Sequence, residues 1–279
     1  MIIISNKPGQ LGNLLFVYAN FLAYGTEYHT RILNPSFYPY KSYFSATKGF
    51  SLSCNRFFYA GSYLVSRVLF RLSVRTKFIR VIALDWDEAL DLEKSHALES
   101  TFCFVQGWLF RSEHLLAKHI GKIRAFFVPS DPLSLRLQDF FEKNFQDPRE
   151  TIIGIHVRRG DYRTFENGRY YYSVDQYVTV IRQLQALFSD RQPHFLICSN
   201  EKIDLPPELR GPVKITAAPG HELLDMYSLA RCHYIAGPPS TYSMWASVYG
   251  NKPLYMIKDP EASIMPDDFK TLLPVTAGE

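Results

Sequence analysis

Two permanent cations, Arg158 and Arg159, stand side by side at the end of the apolar run Ile152–Val157, with His156 before them and Asp161 after Gly160. A guanidinium stays charged at any physiological pH, and its planar fork matches two oxygens of a phosphate. Charge-assisted bonds of this kind contribute about 1.5–3 kcal/mol each, so two or three would hold a diphosphate without a metal. Side chains alternate faces along an extended strand, which puts His156 and Arg158 on one face and Arg159 on the other until Gly160 turns the chain. Arg158 is therefore expected to enter a cleft, and Arg159 to pair with a carboxylate and brace the loop. The competing reading is an ion-pair cluster at a strand end that binds nothing. The Arg-Gly-Asp tripeptide inside the run is read as coincidence.

Asp85 and Asp87 form a second candidate. Carboxylates at i and i+2 can chelate a hard cation from a turn, the spacing that metal-dependent sugar transferases use on a nucleotide pyrophosphate. Glu88, Asp91 and Glu93 follow closely, so the same stretch also reads as an acidic surface helix. At the N-terminus, MIIIS breaks at Pro8-Gly9, and Leu11, Leu14, Leu15, Tyr18 and Leu22 then fall at helical spacing up to Gly25. Amides at such a helix start favour a phosphate or carboxylate, although most strand–glycine–helix junctions are simply tight connections. The missing Gly-Lys-Ser/Thr ending disfavours a P-loop kinase.

The elements that would position these groups are clearest after residue 128. Pro129 and Pro132 punctuate a boundary, and a helix over about 133–145 leads into the second half. There TIIGIHV, HFLICS, VKIT, HYIAG and KPLYMI read as strands. They are separated by the helices SVDQYVTVIRQLQALF (capped by Ser173), ELLDMYSLARC and STYSMWASVYG, the last ended by Gly250. Such alternation implies right-handed βαβ crossovers and a parallel sheet, with ligands off the carboxyl ends of the strands. His156, Arg158, Ser199, Asn200, Ser240 and Thr241 all fall at those ends. Residues 26–110 are less legible. FCFVQGWLF over 102–110 reads as a strand. Arg56, Arg67, Arg71, Arg75, Lys77 and Arg80 lie among large apolar residues. That basic stretch reads either as an amphipathic helix touching a membrane surface or as a core-packing helix with a solvated basic face.

Composition sets outer bounds. The 279 residues are 47% hydrophobic and 21% charged, which describes a globular chain of one large or two modest domains. A net charge of +4 permits an anionic ligand and falls far short of the footprint of a nucleic-acid binder. Cys54, Cys103, Cys198 and Cys232 are scattered and form no zinc ladder or disulfide framework, so buried reduced thiols are expected. MIIISNKPG does not read as a signal peptide, and no apolar run reaches the ~20 residues of a membrane span. A cytoplasmic chain, with peripheral membrane contact through 56–80 on one reading, is expected.

The motif HVRRGDY resembles the first motif of the alpha-1,2-fucosyltransferases, glycosyltransferase family 11, which in the form His-x-Arg-Arg-x-Asp also runs through the alpha-1,6 and protein-O-fucosyltransferases. GQLGNLLFVYA is similar to that family's opening, and DMYSLARCHYIA followed by STYSMWA to its closing stretch, all in the family's order. The likeness covers about 150–257 and 9–19 and fades over 26–125. It implies an α/β fold with two Rossmann-like lobes of GT-B type, an acceptor-side lobe over 1–130 and a nucleotide-sugar lobe with a parallel sheet over 131–279. It also implies an inverting, metal-independent transfer of L-fucose from GDP-fucose to a glycan or lipid-linked glycan hydroxyl, with no cofactor.

Carried onto this chain, Arg158 would grip the pyrophosphate and stabilise departing GDP, with Arg159 in support. Ser240, Thr241 and Ser243 would bond the phosphates at a helix start. Asp225, and Asp161 with it, would hold the guanine and ribose end. Gly12 and Asn13 match the first-lobe loop. Asp161, Glu166 and His156 are the candidates for the base that takes the acceptor proton. The chain departs from the family at Gln10, Leu14, Pro239 and Met244. Two other readings stay open: a metal-dependent transferase using Asp85 and Asp87, and a nucleotide-sugar- or glycan-binding protein without catalysis.

Overall fold

A computed structural model of the chain describes every residue except 49–54, 75, 96, 97, 99, 205, 207, 208, 210–212 and 274–279. Cys54 and Arg75 lie outside the described residues. The chain divides into two compact units, Met1–Asp131 and Pro132–Leu273. The first contains β1 (Ile2–Ile4), α1 (Leu11–Glu27), β2 (Ile32–Leu33), α2 (Ser45–Lys48), α3 (Arg56–Arg71), β3 (Ile79–Ala83), β4 (Leu90–Asp91), β5 (Phe102–Gln106), β6 (Phe110–Arg111), α4 (Glu113–Lys118) and α5 (Ile120–Phe126). Helix α6 (Asp131–Asn144) opens the second unit. It continues with β7 (Thr151–Val157), α7 (Val174–Leu187), β8 (Pro193–Ser199), β9 (Lys214–Ala217), α8 (Glu222–Arg231), β10 (Tyr234–Gly237), α9 (Thr241–Gly250) and β11 (Leu254–Met256).

The first unit is built on a parallel sheet of order β2-β1-β5-β3, beside the two-residue parallel pair β4–β6. Helix α1 is buried along most of its length, and Tyr18 meets Phe37, Phe126 and Phe127 edge-on at 5.3–5.8 Å, an arrangement that suits the ring quadrupoles. The helix does not end at Gly25 but runs through it to Glu27. A Cβ at residue 25 would stand 2.6 Å from the Thr30 carbonyl oxygen and 2.7 Å from Ile32 Cγ1, so this glycine admits the returning chain. The expected 102–110 strand is split in two, because Gly107 adopts φ +129° and turns the chain between β5 and β6. Nor is there a helix over 85–93, where Asp85, Trp86, Asp87 and Glu88 form an exposed bend.

In the second unit all strands are parallel, in the order β11-β10-β7-β8-β9. Helix α7 starts at a capping box in which Ser173 and Gln176 satisfy each other's backbone amides, as Ser173 predicts. Ile153, Ile155 and Val157 of β7 pack with Phe195 of β8 and Val180, Ile181 and Leu184 of α7 in a fully buried cluster. Gly250 is not the terminator of α9. The left-handed residue is Asn251 (φ 51°, ψ 48°), and Gly250 is there because a Cβ would lie 2.1 Å from the Ala230 carbonyl oxygen of α8. Cys103, Cys198 and Cys232 are free and buried.

Candidate functional site

The strand order of the second unit reverses between β7 and β10. Chain leaving β7 turns toward one side of the sheet and chain leaving β10 toward the other, so a crevice opens outside their carboxyl ends. His156, Arg158 and Arg159 end the β7 side, and Ser240 and Thr241 start α9 after β10. Gly237 makes the junction possible, since a Cβ there would press to 2.8 Å from His156 Cβ. Tyr162 closes it by donating its hydroxyl hydrogen to the Pro239 carbonyl oxygen at 2.7 Å.

The two arginines are held differently. Arg158 meets Asp161 in a fork, Nε to Oδ1 at 2.9 Å and Nη2 to Oδ2 at 2.6 Å, and its guanidinium lies 5.4 Å from the Tyr162 ring centre. Its backbone amide donates to the Tyr177 hydroxyl at 3.2 Å. Arg159 forms an ion pair with Glu201, Nε to Oε1 at 2.6 Å, although that N–H is not aimed along the contact. It also donates from Nη2 to the Tyr171 hydroxyl at 2.8 Å and stacks on that ring at 5.1 Å. Asn200 joins the brace by accepting the Arg159 backbone amide on Oδ1 at 3.0 Å. The expectation that Arg159 braces the loop through a carboxylate therefore describes its geometry, with Glu201 as the partner. Arg158 has a carboxylate too, from its own turn, and Gly160 at φ +36° lets that turn form against Asn200.

His156 is buried, its ring 4.8 Å from that of Tyr242 on α9, and Nδ1 has no hydrogen-bond partner among the described residues. Burial, then the charge of Arg158, pushes its pKa down to about 3. The ring is neutral at physiological pH and too weak a base to collect an acceptor proton. Glu166 is exposed on the turn Phe165–Gly168 after β7, and its carboxylate has no hydrogen-bond or ion-pair partner among the described residues. Glu166 and Asn167 are both left-handed, at φ 45° and 58°, a conformation that costs non-glycine residues free energy and persists only where its surroundings impose it.

At the ends of β8 and β9 lies a cleft of about 540 Å³, lined among others by Ser199, Asn200, Glu201, Lys202, Ile203, Ala217, Gly220 and Asp225. Its volume suits a nucleoside or a ligand of similar size. Asp225, in the first turn of α8, accepts the Gly220 and His221 amides on Oδ1 at 2.9 and 3.2 Å. Burial raises its pKa to about 6, against the lowering effect of those amides. Ser199 accepts the Glu201 amide at 3.2 Å. Ser240 caps α9 by accepting the Tyr242 amide at 3.2 Å, and the N-terminus of that helix carries partial positive charge toward the crevice side of β10. Ser243 is buried, with its hydroxyl turned back to the Ser240 carbonyl at 3.2 Å.

The second unit thus gathers His156, Arg158, Arg159, Asp161, Ser199, Asn200, Asp225, Ser240 and Thr241 at one end of its sheet. Gly12 and Asn13 belong to the first unit, at the start of α1. Asp85 and Asp87 are exposed, and no group of three or more potential metal ligands occurs among the described residues. The sequence reading missed Glu201, Tyr162, Tyr171, Tyr177 and Tyr242. The aromatic run RYYYS after the motif was the available signal, since rings beside arginines supply both stacking and hydroxyl acceptors.

No protein-family model matches the sequence, and no curated protein matches it either. Solved structures do match. The NodZ alpha-1,6-fucosyltransferase soaked with GDP-fucose, a Bradyrhizobium protein, superposes with TM-score 0.56 at 17% identity, over 91% of this chain and 94% of its own. A mutant of Arabidopsis thaliana FUT1 in complex with GDP reaches TM-score 0.65 at 14% identity, over 98% and 74%. POFUT1 in complex with GDP-fucose gives 0.51 at 12%, over 90% and 94%. The chain has the GT-B-like fold of these fucosyltransferases. At such identities the likeness concerns the path of the backbone. One departure from the motif pattern has a local explanation: Leu14 is fully buried in the first unit.

Proposed function

We propose that the protein is a GDP-fucose-dependent fucosyltransferase of the inverting, alpha-1,2 type, acting on a hydroxyl of a glycan or lipid-linked glycan. The observation that carries this reading is the crevice between β7 and β10. It sets the strand-end arginines opposite the α9 N-terminus and beside a nucleoside-sized cleft holding an acidic residue. The motif resemblance and the fold of proteins solved with GDP or GDP-fucose support it.

The nucleoside occupies the cleft, where Asp225 as a carboxylate accepts from guanine N–H or ribose O–H groups. The diphosphate spans from there to the crevice. Arg158 turns its fork from Asp161 to the phosphate oxygens, and Ser240 and Thr241 add bonds at the helix start. As the fucose–oxygen bond breaks, charge grows on the β-phosphate, and fixed cations in a partly buried crevice stabilise that charge more than water would. Arg159, tied to Glu201, Tyr171 and Asn200, keeps the loop rigid and adds positive potential. Of the three base candidates, His156 is neutral but too weakly basic. Asp161, released as Arg158 turns to the phosphates, and the exposed Glu166 are the groups left to take the acceptor proton. The transition state resembles an oxocarbenium ion, so the demand on that base is modest. The first unit, with Gly12 and Asn13, serves the acceptor side.

Calorimetry of GDP binding in EDTA, with UDP as control, tests the site. GDP binding that ignores UDP and weakens in Arg158→Ala is expected. Binding that requires manganese, or is indifferent to Arg158, would overturn the reading. Incubation with GDP-fucose and candidate acceptors, with NMR of the product, tests transfer and linkage. Tight GDP binding without transfer or hydrolysis would make the protein a binder instead.

A further inference from the structure

Helix α3 is turned the wrong way round for a helix that stabilises a core. Its buried residues are Ser62 and Ser66, each bonded to the backbone of its own helix, with Gln106 Nε2 donating to Ser66 Oγ at 2.6 Å. Half-buried Phe58, Tyr59, Tyr63 and Leu69 flank the serines, so the inner face packs on the unit without fully burying a large side chain. The opposite face is apolar. Phe57, Leu64, Val65, Val68 and Leu72 follow the i, i+7, i+8, i+11, i+15 spacing of one helical stripe, and Phe57 and Leu72 are 85% and 68% exposed. Arg56, Arg67 and Arg71 form a row along one flank of that stripe, all exposed. Lys77 and Phe78, both exposed, come just before β3. No Asp or Glu occurs anywhere between Glu27 and Asp85.

We propose that α3 is a docking helix for an anionic bilayer surface, with its apolar stripe in the acyl boundary and its arginine row at the headgroups. The chemistry of the face selects this occupant. A continuous ridge of large apolar side chains offers no polar groups for directional pairing with a protein, and a bilayer interface asks for none. The arginine row and the acid-free sequence around it match a surface of opposite charge. An antiparallel pairing with a second copy of the chain is disfavoured, because that two-fold would set one arginine row beside the other. Arg67 is drawn onto its own helix by Tyr63, Nη1 to Oη at 3.0 Å, and stays exposed. The proposal holds whatever nucleotide the second unit binds.

Flotation of the full chain with vesicles of phosphatidylglycerol in phosphatidylcholine, against pure phosphatidylcholine, tests it. Binding to the anionic vesicles alone, weakened by high salt, is expected. Leu64→Glu with Val68→Glu should weaken binding at least about tenfold. Arg67→Ala with Arg71→Ala should weaken it roughly fivefold per arginine. GDP calorimetry and the thermal midpoint should not change in either variant, because all four side chains are exposed. No flotation with anionic vesicles, or flotation indifferent to Leu64→Glu with Val68→Glu, would overturn the proposal. So would a concentration-dependent dimer in sedimentation that this variant abolishes without any vesicle binding, which would give the ridge to a second copy.

Discussion

The two units are both built on parallel sheets, yet they place their cations in opposite ways. In the second unit β7 and β8 are seven residues long and almost wholly buried, and the charges come at their carboxyl ends, each guanidinium held by a carboxylate and a ring. In the first unit the strands run two to five residues, β3 is only half-buried throughout, and the arginines ride on the outer surface of α3. A charge at the end of a buried strand is confined to one place before a ligand arrives, even where, as for Arg158, its fork must turn to meet it. A charge on an exposed helix is a soluble long side chain, useful only to an extended surface. On the two proposals, the same residue type would serve point recognition in one unit and area recognition in the other.

The comparison makes a graded series of predictions. Arg158→Ala should cost the largest factor, about 10²–10³ in transfer rate, as loss of one preorganised charge donor does, with the thermal midpoint little changed. Steady-state kinetics with GDP-fucose would check it, and an activity within a factor of a few of wild type would put the reacting diphosphate elsewhere.

Acid stability comes next. His156 has a folded pKa of about 3 against an ordinary value of about 6.5. Its contribution is whole above pH 6.5, falls as the unfolded chain takes up the proton the folded chain refuses, and levels off near pH 3. At roughly 1.4 kcal/mol per pH unit the loss reaches several kcal/mol. Burial lowers His194, His221 and His233 in the same direction, while Asp225, raised to about 6, works the other way below that pH. Urea midpoints at pH 7 and 5 should differ less in His156→Asn than in wild type.

Gly237→Ala should cost about 1–3 kcal/mol, because the new methyl must push His156 aside at the mouth of the crevice. GDP affinity should weaken along with stability there. Asp225 predicts a pH dependence of binding itself. With the nucleoside placed as proposed, Asp225 would accept from it as a carboxylate above pH 6 and be protonated below that, so affinity should fall up to about tenfold per pH unit. In Asp225→Asn the titration should be weak and flat.

The smallest effect is expected on α3. Leu64→Glu should leave stability within about 0.5 kcal/mol, since nothing is buried there. The same change at Ile155 in β7, which has no exposed surface, should unfold the second unit. Equal losses at both positions would erase the distinction between the two units.

The sequence by itself determined the second unit. Its strand–helix alternation, the Ser173 cap and the placement of His156, Arg158, Ser199 and Ser240 at strand ends all follow from period, capping and chain reversal, which are local rules. Those rules also carried the fold class. Only the tertiary structure decided the rest. Gly25 and Gly250 read as helix stops, but each exists to admit a neighbouring backbone from elsewhere in the chain. The stretch over 85–93 carried a helical composition and became a bend. Which carboxylate each arginine took was not legible, because Glu201 reaches Arg159 only once β8 pairs with β7. Nor was the outward turn of α3, since an amphipathic pattern states that a helix has two faces and not which of them meets the sheet. That choice is made by what the sheet offers, and here Gln106 on β5 offered a hydrogen bond to Ser66.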